Sequence, residues 1–337
     1  MKIGFLKFAL VLIAILGIVQ IDAVAQTRAR NTPAPPSLMA ALPKSDAVAQ
    51  VKMKQLFNEA MPRILANNPA RLAQVNASVE DFKTRTGLDP RQFDQLALGL
   101  RFTFPGEGRT KVQTVALAQG SYNSNALITA GSLAANGKYR QEKYQGKTIY
   151  IFTLDQSVTV FGVFDFKINE LAVLPLDANT LALGDLMGIR SLIDATNASK
   201  RANAELIALA SRDPNAVAGF GANMSQQLVS SIDAIGNAPI GAELANLRQV
   251  YGSVSTTEKD IELFLGAKAV SPEAAKNLGD TLNLLKDVGS AFVGRISGAR
   301  GVLAKSALTN LKIVADANEL QIRTAVPQAD VGPLMGN

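Results

Sequence analysis

Two pairs of alternating segments, each pair closed by a short polar turn, restrict this chain more than any other feature. In residues 94–104 (DQLALGLRFTF), Leu96, Leu98, Leu100, Phe102 and Phe104 fall on alternate positions, the pattern of a strand with one buried face. The turn Pro105-Gly106-Glu107-Gly108 follows, and residues 111–119 (KVQTVALAQ) alternate again, so an antiparallel hairpin is expected. Residues 247–256 (LRQVYGSVST) and 260–269 (DIELFLGAKA), joined through Thr257-Glu258-Lys259, predict a second.

Helical spacing surrounds both hairpins. A strand over 47–53 feeds a helix from Lys54 that gathers Leu56, Phe57, Ala60, Ile64 and Leu65 on one face and breaks at Asn67-Asn68-Pro69. Residues 69–86 place Leu72, Val75, Val79 and Phe82 at three- and four-residue intervals and end at Gly87. Further helices are expected over 125–136 and 186–196, with a strand at 147–154 and several short strands between 158 and 184.

In the later part, Ser271-Pro272-Glu273 reads as a cap, a first-turn proline and an acidic residue at the positive end of the helix dipole. Gly279, Gly289, Gly294, Gly298 and Gly301 interrupt the helix that follows. Each interior glycine costs about 1 kcal/mol relative to alanine, so a kink or split near Gly289 or Gly298 is expected. Residues 310–315 and 319–325 flank Asp316-Ala317-Asn318 as a last hairpin, and 327–335 suggest a short terminal helix.

Helices and antiparallel hairpins mix without the strand-helix alternation of a parallel sheet, which predicts an α+β fold with helices packed on one face of antiparallel sheets. The shared order strand, helix, hairpin, helix predicts two similar halves, 42–200 and 201–337.

Ahead of these halves, Lys2 and Lys7 precede a wholly apolar run over 8–19, and Ala23-Val24-Ala25 offers small side chains at a cleavage site. Spanning a bilayer takes roughly 20 apolar residues, and Gln20 and Asp22 end the run earlier. Residues 1–25 are therefore expected to be a secretory signal peptide removed before Gln26, leaving no membrane span. Residues 26–41, with Pro33, Pro35 and Pro36, read as an extended tether, and folded structure is expected near Leu42. Export to the periplasm or beyond follows as an expectation.

Residues 1–25 hold two Lys and one Asp, which leaves 32 cationic against 27 acidic side chains, a net charge of +5. A nucleic-acid binder gathers such an excess into a stripe. Here the densest cluster, Lys138-Tyr139-Arg140-Gln141-Glu142-Lys143, holds a glutamate and reads as a solvated face, so no nucleic-acid partner is expected. The sequence has neither Cys nor His. Cys-His and Ser-His-Asp nucleophiles, zinc sites built on those residues and imidazole switching are excluded.

Carboxylate chemistry survives that exclusion, with Glu142, Asp165, Glu170 and Asp185 as candidates in or beside apolar segments, although no spacing pairs any two for glycoside cleavage. Ser199-Lys200 and Lys305-Ser306 are chain neighbours that point apart on a helix. Gly219-Phe220-Gly221 and the glycines of 131–137 match no phosphate-binding loop. No catalytic, cofactor-binding or metal-binding residue is assigned and no cofactor is expected. The candidate binding feature is the apolar stretch 158–174, where Val158, Val160, Phe161, Val163, Phe164 and Phe166 could line a groove for an apolar ligand or partner, or form an interior strand.

Leu42-Pro43-Lys44-Ser45-Asp46, Thr86-Gly87-Leu88-Asp89-Pro90 before Phe93-Asp94, the Tyr144-Gln145-Gly146-Lys147 turn and Thr180-Leu181-Ala182-Leu183-Gly184 give the chain a layout that resembles uncharacterised bacterial exported proteins of the domain-of-unknown-function type. The resemblance implies export and a fold of repeated strand-helix-hairpin units, and it adds no site. The leading expectation is a non-catalytic binding or structural protein of the envelope whose partner is an unknown envelope protein or an apolar small molecule. A carrier of an apolar ligand and a carboxylate hydrolase are the alternatives.

Overall fold

The computed structural model describes residues 37–86, 89–106, 109–153, 158–160, 164–166, 170–195, 201–231 and 241–331. The expected signal peptide and all but residues 37–41 of the expected tether lie outside them. The chain divides into two compact units, one of Leu38–Pro62 and Pro69–Ile207, the other containing Arg63–Asn68 and residues 208–331.

The first unit opens on a 3-10 turn, Leu38–Ala41, in which Met39 is fully buried, as is Leu42. Burial thus starts a few residues ahead of Leu42, at Met39, inside the stretch expected as tether. Its strands are β1 (Ala47–Val51), β2 (Phe93–Gly106), β3 (Arg109–Gly120), β4 (Tyr139–Tyr144), β5 (Lys147–Thr153), β6 (Val158–Val160), β7 (Phe164–Phe166), β8 (Glu170–Pro175) and β9 (Thr180–Gly184). Within this unit they run in the order β1-β2-β3-β9-β8-β5-β4, antiparallel throughout, while β6 and β7 pair only with each other.

The expected hairpin of 94–104 and 111–119 is β2 and β3, with Leu98 opposite Ala116 and Leu100 opposite Thr114. The charged residues 138–143 also pair. They form most of β4, an edge strand on which Arg140, Gln141 and Lys143 stay exposed, and charge on an edge discourages pairing with another chain. Gln145 and Gly146, both at positive φ, make the tight turn into β5.

The helix expected from Lys54 runs from Met53 to Ile64, but Leu56–Ala60 is a π turn in which the Met61 N–H bonds the Leu56 carbonyl. Pro62 has no N–H to donate, and the turn before it widens. Helix α1 (Pro69–Thr86) follows, then α2 (Ser124–Ala134) and α3 (Leu186–Asp194).

Helices cover both faces of this sheet. Met53, Leu56 and Phe57 pack with Phe93, Leu96 and Ala118, and Leu127 and Ile128 of α2 pack with Tyr150, Phe152, Val173 and Leu181. On the other face α3 ties Arg190 to Glu142, the cross-strand partner of Ile149. Burial on both faces follows from β5 and β8, where Ile149 and Ile151 alternate with Tyr150 and Phe152 and the run Leu171 to Leu174 is apolar without a break.

The second unit has β10 (Ala218–Asn223), β11 (Leu247–Thr256), β12 (Asp260–Ala269), β13 (Lys312–Asp316) and β14 (Glu319–Pro327), in the antiparallel order β10-β11-β12-β14-β13. Helices α4 (Pro272–Val293) and α5 (Gly298–Asn310) lie on one face. Ala275 and Leu278 pack with Leu247, Ala267 and Leu320, and Leu303 and Ala307 pack with Ile261, Val326 and Val331. The expected cap holds: the Ser271 hydroxyl accepts from the Ala274 N–H at 3.1 Å. The expected break falls at the second place named, where Gly298 has φ +71°. The fold is mixed α+β built on antiparallel sheet.

Candidate interaction surface

Helix α4 changes character along its length. At 100° per residue, Leu284, Val288, Phe292 and Leu285 fall within an arc of about 100°; the first three turn away from the buried Ala275 and Gly279, while Leu285 borders the buried Leu278. Two turns earlier the same arc carries Asn277 and Thr281. With Ile296 in the connection and Val302 on α5, the four residues make an outward apolar stripe, each member between 43% and 64% exposed. Basic side chains flank it. The Arg295 guanidinium stacks 4.9 Å from the Phe292 ring, and Arg300 and Lys305 stand exposed on α5. Scattered exposed apolar residues are ordinary, whereas a contiguous patch marks a contact surface.

Beside the stripe's helix lies a shallow groove of about 430 Å³, lined by Pro272, Lys276, Gly279, Asp280, Ala315 and Ala317. Lys276 and Asp280 pair across one helical turn at 2.5 Å on its rim.

The opposite face of the second unit's sheet is polar and covered. Gln249, Tyr251, Ser253 and Ser255 alternate along β11 and are all buried. Arg212 lies 5.1 Å over the Tyr251 ring and 5.5 Å over Phe264, donates to the Tyr251 hydroxyl, and donates to Glu319 at 2.8 Å. Gln321 donates to the same carboxylate at 2.8 Å and accepts from Arg323 at 3.0 Å. Burial pushes the Tyr251 hydroxyl well above the usual phenol range. Burial also opposes ionisation of Glu319, but its hydrogen bonds with Tyr251, Arg212 and Gln321 outweigh it and hold the carboxyl below its ordinary value. Ser255 donates to Asp213 at 2.5 Å. This network joins residues 107 positions apart and cross-links the sheet.

Three of the four carboxylates weighed for catalysis, Glu142, Glu170 and Asp185, hold separate structural roles. Glu142 accepts from Arg190 at 2.7 and 2.9 Å, and Glu170 from Arg140 at 3.0 and 3.2 Å. Asp185 caps α3 by accepting from the Gly188 N–H at 2.8 Å and also accepts from the Thr114 N–H. Asp165 pairs with Thr159 in the β6–β7 ladder. The Ser306 hydroxyl donates to Asp330 at 2.6 Å, so it is turned to a carboxylate and not to Lys305, while Ser199-Lys200 lies outside the described residues. Gly219 to Gly221 sit inside β10, and Gly131 lies inside α2. Among the described residues no group of three or more Asp or Glu could hold a metal ion.

The six apolar residues named as a candidate face are only partly described. The β6–β7 register sets Val158 opposite Phe166 and Val160 opposite Phe164, whereas Phe161 and Val163 lie outside the described residues. The stripe on α4 and the network on β11 escaped the sequence reading. A second apolar face on α4, at 284, 288 and 292 beside the one at 275, 278 and 282, was the available signal for the stripe. Polar residues at every other position of β11 were the signal for the network.

No family model matches the chain, and no curated protein matches it. Among solved structures it is similar to crystal form III of TP0453, a Treponema protein, with a TM-score of 0.46 and 9% identity over 90% of this chain and 97% of that one. Crystal form I of the same protein aligns with a TM-score of 0.44 and 9% identity over 90% of this chain and 98% of that one.

Proposed function

We propose that this is an exported, non-catalytic component of the bacterial envelope that works by association with a partner. One contrast carries the reading: side chains capable of catalysis are tied into cap and ion-pair roles, while contiguous apolar side chains on α4 and α5 face outward. Positioned reactive groups need free lone pairs and mutual reach, and Glu142, Glu170 and Asp185 have their carboxylates engaged in separate places. The charged n-region, apolar run and small-residue site of residues 1–25 support export. The matching strand orders β1-β2-β3-β9-β8 and β10-β11-β12-β14-β13 support a reading of the two units as copies of one plan.

The test is a panel of ester, glycoside and peptide substrates given to the purified protein, alongside fractionation of the host. No turnover and recovery in the envelope or medium are expected. Turnover abolished by Glu142→Gln or Asp185→Asn with the fold intact would overturn the non-catalytic reading, and a cytoplasmic pool would overturn export.

A second reading, a carrier of an apolar ligand, is supported by the β6–β7 register, which sets apolar residues opposite one another in a ladder of their own. Native mass spectrometry of protein taken from its host would show a retained mass if the reading holds and the bare chain if it does not.

A further inference from the structure

We propose that the stripe on α4 and α5 is a homodimer surface, onto which a second copy of this chain packs with its α4 antiparallel to the first. This rests on the reading that the protein works by association, and it names the partner.

Area is the first argument. A fully exposed large apolar side chain presents on the order of 200 Å². Leu284, Leu285, Val288, Phe292, Ile296 and Val302 are each about half exposed, so they offer roughly 600 Å² per chain. Two copies then bury about 1,200 Å², the lower end of what a specific interface needs.

Charge is the second argument, and it sets the direction. On α4 the acidic residues Asp280 and Asp287 stand among Lys276 and Lys286, and Arg295 follows in the connection and Arg300 on α5. A parallel pair would stack Arg295 on the partner's Arg295. An antiparallel pair centred on Val288 sets Leu284 against the partner's Phe292 and brings Asp280 within one position of the partner's Arg295. It also opposes the helix dipoles. A two-fold pairing of this kind uses one patch twice and closes on itself, so it ends at the dimer.

Sedimentation velocity of the purified full-length protein at about 1 to 100 µM, the range in which small interfaces dissociate, is the first measurement. Dimer formation is expected. Val288→Glu combined with Phe292→Glu should weaken it at least tenfold, since apolar anchors at an interface centre are worth more than about 1 kcal/mol each. The melting curve should stay within a few degrees, because both side chains face outward. The cysteine-free chain allows a second measurement. With copper phenanthroline as oxidant, Val288→Cys should give a disulfide-linked dimer, and Asn277→Cys, three turns away, should not. Efficient cross-linking through Leu284→Cys alone would overturn the antiparallel arrangement.

A wild-type chain that sediments as a monomer throughout, or a dimer indifferent to the double substitution, overturns the proposal. If the monomer floats with phosphatidylglycerol vesicles and the double variant does not, the stripe meets lipid; the dimer is then lost and the association reading stands. A monomer that ignores vesicles and fails to capture any envelope component removes both.

Discussion

Tyr251 and Gly266 face each other across β11 and β12, and the phenol ring fills the space that a β-carbon at position 266 would enter. The ring is fully buried and held from above by Arg212, so it cannot swing aside. Gly266→Ala is therefore expected to cost about 2 kcal/mol or more through overpacking. Thermal melting checks it, and Gly266→Ala combined with Tyr251→Ala should recover part of the alanine penalty relative to the sum of the single changes.

Asp89 sits at the start of a 3-10 turn and accepts from the Arg91 backbone N–H, from the Arg91 guanidinium and, as an ion pair at 3.1 Å, from Lys83. The Arg91 side chain above all holds its carboxyl at about 2, against the desolvation that burial imposes. A carboxyl depressed in the folded state stabilises above its unfolded value near 4, and the contribution fades as pH falls toward 2. Asp89→Asn should lose about 2 kcal/mol at neutral pH. The gap from wild type should close in denaturant titrations between roughly pH 4 and pH 2; an unchanging gap would show that the charge is not the cause.

Asp185 serves two N–H groups, one at the start of α3 and one on β3. Asp185→Ala should destabilise by about 1 to 2 kcal/mol, as cap losses do. Asp185→Asn should recover much of that, because an amide oxygen still accepts. If Asn were as damaging as Ala, the carboxylate charge would be needed for more than capping.

Gly298 and Gly301 open α5 for different reasons. Gly298 is at positive φ with open space around it, whereas a β-carbon on Gly301 would collide with the Ile296 carbonyl. Gly298→Ala should cost about 1 kcal/mol. Gly301→Ala should cost more, since backbone must move, and Gly298→Asn should be milder than Gly298→Val. Chemical denaturation of the four variants gives the ranking.

What the sequence shows is what local chemistry decides. The alternation of Leu96 to Phe104, the cap at Ser271, the helix break at Gly298 and the turn at Ala317, with φ +48°, each depend on residues a few positions apart. β4 was hidden because its charges suit both a loop and an edge strand, and only pairing with β5 distinguishes them. The Arg212 network was hidden because its members come from β11, β12, β14 and the segment before β10, and no local pattern joins Arg212 to Glu319. The apolar residues of α4 were visible as letters, but which of two faces meets the sheet is set by Leu320 and Ala267, supplied from elsewhere in the chain.

The path of the chain through its two units has a consequence for synthesis. Residues 63–68 belong to the second unit although residues of the first stand on both sides, and Ile64 packs against Ile261, Ala325, Val326 and Val331. On the ribosome Ile64 emerges early and must wait, uncovered, for partners made roughly 200 to 270 residues later. A nascent chain cannot close that core until Val331 has been made, so an early segment of the chain and a late one are locked into one folding event.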